Sequence, residues 1–61
     1  MNAPTTKSQV RSDWQYSREL MRDANAALTS NDLDALAQIA PELIACATTL
    51  AQYLEDRGYN V

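Results

Sequence analysis

The 61-residue chain has no histidine, no phenylalanine, one cysteine and one glycine. Each shortage closes off a class of function. A lone Cys46 cannot form an internal disulfide. Without histidine, and with that single thiol, the usual zinc ligand sets are missing. One glycine (Gly58) is too few for a loop that cradles phosphates. A nucleophile here would need a lysine, a carboxylate or a terminal amine as its base, so neither an enzyme nor a cofactor or metal is expected. The chain also lacks a continuous apolar run of the roughly 18–20 residues that cross a bilayer. Its beginning, Met1-Asn2-Ala3-Pro4-Thr5-Thr6-Lys7, has neither the basic region nor the apolar stretch of a signal peptide. A cytoplasmic setting is the expectation, that of the host cell if the chain is phage-encoded.

What the chain does have is modest. Of its 28 hydrophobic residues ten are alanine and only eleven are Leu, Ile or Val. A core that small rarely supplies more than about 3–5 kcal/mol unaided. With disulfides and metals set aside, self-association is the remaining stabiliser. The charge is unevenly spread: residues 1–30 carry +1, whereas residues 31–61 carry −4, for a net charge of −3.

Two helices are written into the pattern. Thr6 and Gln9 form a capping box, in which the hydroxyl accepts from the Gln9 amide and the Gln9 side chain reaches back. Val10, Trp14, Ser17, Met21, Ala24 and Leu28 then recur at spacings of four and three, the mark of a one-sided helix. Thr29-Ser30-Asn31-Asp32 interrupts it, with Asn31 as the expected N-cap of a second helix. In that second segment Leu33, Leu36, Ala40, Leu43, Ala47, Leu50 and Leu54 keep an unbroken heptad, widened by Ile39, Ile44 and Ala51. Gly58 suits the left-handed position past a helix end, with Tyr59 next to it in a Schellman ending. Pro41 is discordant, because proline inside a helix removes a hydrogen bond and clashes with the preceding turn. The expectation is therefore a tail over 1–5 and one helical-hairpin domain over 6–61. Its helices would lie near 6–29 and 32–57, the second kinked or broken near Pro41. Two helices cover only one side of each other, so the all-α hairpin is expected to dimerise into an antiparallel four-helix bundle. Its seam would hold Trp14, Met21, Leu28, Leu33, Leu36, Leu43, Leu50 and Leu54.

The candidate functional feature is a stripe of cations. At about 100° per residue, Lys7, Arg11, Arg18 and Arg22 share a sector of roughly 60°, with Trp14 on its apolar border. Arg18 and Arg22 are like charges one turn apart, which something acidic should offset. One reading pairs them across the hairpin or dimer with Glu42 and Glu55. Another makes Lys7, Arg11, Trp14, Arg18 and Arg22 a binding face for an acidic protein surface, since Trp and Arg dominate interface hot spots. RNA phosphates are the third candidate. Trp14 itself is read either as a seam residue or as a partner-facing anchor. Tyr16, Glu19 and Asp23 make a separate acidic-aromatic face.

The small-large alternation of Ala40/Leu43 and Ala47/Leu50 along an acidic hairpin resembles the Rop family of plasmid regulators. That resemblance implies a dimeric four-helix bundle that binds RNA through basic residues and an aromatic of the first helix, here likened to Lys7, Arg11, Trp14, Arg18 and Arg22. In size and build the chain is also similar to small phage-encoded proteins that inhibit host regulators or defence complexes. The expected function is a small non-enzymatic protein–protein interaction module, a phage- or plasmid-type regulator or inhibitor of a larger host protein. The alternative is a Rop-like RNA-binding regulator.

Overall fold

In the computed structural model, which describes residues 4–61, α1 runs from Lys7 to Thr29 and α2 from Leu33 to Glu55. The described residues are helix, turn or irregular, without a strand. Residues 1–3 of the expected tail lie outside the described residues. Local chemistry sets each end. Thr6 caps α1: its hydroxyl accepts from the Gln9 amide at 3.2 Å while the Thr6 amide donates to Gln9 Oε1 at 2.8 Å. The expected capping box is complete.

The turn is tighter than the sequence implied. Asn31, expected to cap the second helix, instead takes the left-handed conformation (φ 55°) that ends the first. The amide of Asn31 donates to the Leu28 carbonyl (3.2 Å) and that of Asp32 to the Ala27 carbonyl (2.8 Å). This is the bond pair of a Schellman ending, with asparagine, one of the few side chains tolerant of that region, in the glycine position. Asp32 is then the N-cap of α2, its carboxylate accepting from the Ala35 amide at 3.1 Å. The correction has a simple cause. Asn and Asp are about equally good caps, and Asn pays less for a positive φ than the residues around it.

At the far end Gly58 has φ 88°. Tyr59 donates its amide to Leu54 (3.1 Å) and Gly58 to Glu55 (3.0 Å), the expected Schellman pair. Arg57 folds back, with its guanidinium 3.6 Å from the Tyr53 ring centre and Nη1 on the Tyr53 carbonyl.

α2 is a single helix through Pro41, so the expectation of a broken segment is corrected. Pro41 is exposed, and the carbonyl it leaves without an amide belongs to Ala37, which is exposed as well. Water can take the missing bond there, which lowers the cost of an interior proline. α2 also reaches a mean hydropathy of 1.2, long and apolar enough by length and composition to cross a membrane. No continuous apolar run produces this figure. The longest charge-free stretch of α2 covers residues 43–54, and Glu42 sits near the middle of the helix.

The helices pack antiparallel along one side each. The part of α1 turned toward α2 is Asp13, Ser17, Leu20, Ala24 and Ala27, spaced 4, 3, 4, 3. Among the described residues only Leu20 (5% exposed) and Ala27 (6%) are buried outright. Ala35, Ile39, Leu43, Cys46 and Tyr53 answer from α2, each half-buried. Tyr16 and Glu42, joined by an O–H···O bond of 2.9 Å, hold the register on one side. Thr5 donates its amide to Asp56 at 3.0 Å and ties the start of α1 to the end of α2.

Candidate interaction surface

The stripe that packs inside the hairpin is rotated from the stripe the apolar spacing picked out. Trp14, Met21 and Leu28 are 60%, 51% and 65% exposed. They lie about 100° around α1 from Leu20 and Ala27, all on one side. Leu33, Leu50 and Ile44 of α2 are exposed too, and Leu36, Leu43 and Leu54 are half-buried. For antiparallel helices these two sets fall on the same side of the hairpin. There the helices leave an open groove of about 220 Å³, floored by Ser17, Leu43 and Cys46 and walled by Trp14, Met21 and Leu50. Its surface is almost wholly apolar. Leu20 and Ala27, the actual centre of the intramolecular contact, were missed as core residues. Their signal was the second stripe, Asp13-Ser17-Leu20-Ala24-Ala27, masked by its polar members.

Cys46 lies in this groove. Burial, then the nearby carboxylates of Asp13 and Glu42, push its thiol up from the ordinary range, the opposite of what a reactive thiolate needs. On the far side, the bond to Glu42 raises the Tyr16 phenol, with burial and the Glu42 and Glu19 charges adding to it. That side is polar: Tyr16, Glu19, Asp23 and Glu42 are all exposed.

Lys7, Arg11, Arg18 and Arg22 are exposed and border the apolar face along the outer edge of α1. Among the described residues none of them donates a side-chain hydrogen bond within the hairpin. Glu42, the acid expected to answer Arg18, is engaged by Tyr16 on the other side. Near the open end of the hairpin Lys7, Val10, Arg11, Trp14 and Tyr53 line one shallow depression. Among the described residues no three Cys, Asp or Glu side chains converge where a metal would sit. The site is therefore a surface, made of a flat apolar face with cations along one edge only.

Comparison with protein families, with curated proteins and with solved structures finds no match to the chain. The likeness to Rop proteins is one of hairpin architecture.

Proposed function

We propose that the protein is a small, non-enzymatic protein–protein interaction module that dimerises through its apolar face and presents its basic edge to an acidic surface of a larger protein. A phage- or plasmid-type regulator or inhibitor acting in the host cytoplasm fits that build. The observation that carries the reading is the asymmetry of the open face. Among the described residues, cations that donate no side-chain hydrogen bond within the hairpin flank exposed Trp14 on α1, while α2 carries no cation at all. An apolar face of this width in a two-helix hairpin is covered in a four-helix bundle. In that bundle α2 bends at Pro41, with the proline on the convex, solvent side and the helix wrapping toward its neighbours. Local positive charge on an acidic body orients a specific partner while discouraging indiscriminate nucleic-acid binding.

The test is capture of a partner from host lysate by the wild-type chain and by Arg11→Glu/Arg18→Glu. Helicity and dimerisation should be unchanged in the variant, and stoichiometric capture of an acidic protein should be lost. Undiminished capture would refute the basic edge as the binding face. RNA binding is the second reading, favoured by Trp14 and Tyr53 beside Lys7 and Arg11, since bases stack on aromatic rings. It requires a mobility shift at low salt that weakens steeply between about 50 and 200 mM.

A further inference from the structure

The exposed apolar face admits two dimers, and the charges choose between them. The chain exposes 5003 Å², roughly 1,000 Å² more than a compact monomer of its mass would. That excess is of the size each partner contributes to a standard interface, about 800 Å². We propose that the face is covered by a second copy of the chain whose two-fold axis runs along the helices, so that α1 of each copy packs on α2 of the other. This deepens the dimer of the proposed function and fixes its topology.

Two hairpins laid face to face are related by a two-fold axis lying in the plane between them. The axis runs either along the helices or across them. Across, α1 lies on the partner's α1 and α2 on the partner's α2. Along, α1 lies on the partner's α2. Between Lys7 and Thr29, α1 carries four cations and three acids, and all four cations lie on its outer edge. Between Leu33 and Glu55, α2 carries Asp34, Glu42 and Glu55 and no cation.

The hairpin register, set by the Tyr16–Glu42 and Thr5–Asp56 bonds, puts Lys7 level with the Glu55 turn and Arg22 about one turn from Asp34. An axis along the helices keeps those levels. It brings Lys7 to the partner's Glu55 and Arg22 toward the partner's Asp34, along both outer edges of the bundle. Arg11 and Arg18 then face neutral Thr48 and Pro41 of the other copy and stay available to a third protein. An axis across the helices does the opposite. Arg11 would come within a turn of the partner's Arg22, Arg18 within a turn of its own symmetry mate, and Glu55 would approach the partner's Asp34. Like charges facing one another at such an interface disfavour that pairing. In the favoured dimer the two basic edges lie on opposite sides of the bundle, so one dimer engages two separate acidic surfaces rather than one broad one.

The experiment is a single distance. In a Cys46→Ser, Ser8→Cys chain, which keeps Lys7, a nitroxide on the one thiol reports the separation of the two position-8 labels by pulsed electron resonance, with sedimentation equilibrium on the same sample. An axis along the helices puts both labels at one end of the bundle, about 20–25 Å apart. An axis across them puts the labels at opposite ends, about 30–35 Å apart. The short distance is expected. The long distance overturns the topology, and a monomer throughout the micromolar range overturns the dimer. Flotation of a monomeric chain with phosphatidylserine vesicles would assign the face to lipid and overturn it also. Arg11→Glu/Arg18→Glu leaves positions 7, 22, 34 and 55 intact, so failure of partner capture and failure of this topology are seen separately.

Discussion

Replacing Leu20 and Met21 by alanine, one at a time, separates the contact inside the hairpin from the face outside it. The two residues are adjacent, yet Leu20 is 5% exposed and Met21 51%. Burying a leucine side chain is worth about 1.5–3 kcal/mol. A rigid cavity left behind raises Leu→Ala costs toward about 5 kcal/mol in closed cores. Here the site lies between only two helices, one open groove away from solvent, and its neighbours can settle into the space. About 2–3 kcal/mol is therefore expected, more than half of what a core this small supplies. In a domain of this length that loss lowers Tm by roughly 10–20 °C. Met21 has already left half its surface in water, so Met21→Ala costs the isolated hairpin about 1 kcal/mol or less. In the proposed dimer it would lose a second contact. The assay is a set of circular-dichroism melts over a wide range of protein concentration. Leu20→Ala should shift Tm by nearly the same amount at every concentration. Met21→Ala should be mild when dilute and grow costlier as the dimer forms. Equal losses for both variants in the most dilute samples would refute the assignment of Leu20 to the inner stripe and Met21 to the open face.

Other contacts carry their own expected outcomes. Leu43→Asp or Leu50→Asp, each placing a carboxylate in the groove, should unfold the chain or leave it monomeric by sedimentation. Asp32→Ala removes the α2 cap and should cost about 1 kcal/mol in chemical denaturation, whereas Asn31→Gly, at a left-handed position, should be neutral or stabilising. The Tyr16 phenol titrates higher folded than unfolded, so its contribution is present below the unfolded value of about 10 and is lost as pH rises through the folded one. Melts of wild type and Tyr16→Phe should therefore converge in strong alkali, and a constant gap would refute the Tyr16–Glu42 bond. Cys46, its thiol pushed up by burial and two acids, should react with iodoacetamide more slowly near pH 8 than a free cysteine, and denaturant should remove the difference.

The ends of the helices were legible because their signals are local. Thr6 with Gln9, and Gly58 with Tyr59, specify their hydrogen bonds within six residues. The rotation of α1 about its axis was not legible. Apolar residues occupy two adjacent stripes, and the larger side chains, Trp14, Met21 and Leu28, fall on the one turned outward. The strongest periodicity therefore marks the face left open, and the weaker one the face that is packed. The N-cap was displaced by one residue because Asn31 and Asp32 are both good caps, and only the backbone φ of Asn31 decides which serves. At Pro41 the local penalty pointed to a break that the surrounding helix absorbs on its solvent side. The cationic edge was readable as a sector. That Glu42, the acid expected to answer Arg18, would be engaged by Tyr16 depended on a contact between residues far apart in sequence.

The turn at Asn31 and Asp32 leaves no slack between the helices. The residue that closes one helix is followed at once by the residue that starts the next, and Asp32 belongs to both hydrogen-bond patterns. Such a joint works like a gear with one tooth per residue. Adding or deleting a residue there would turn one helix by about 100° against the other. The cations and the apolar stripe would then no longer border a common face. Point substitutions can drift over most of this small surface, but chain length at the turn cannot. Length variation compatible with the same surface is confined to the two ends of the chain.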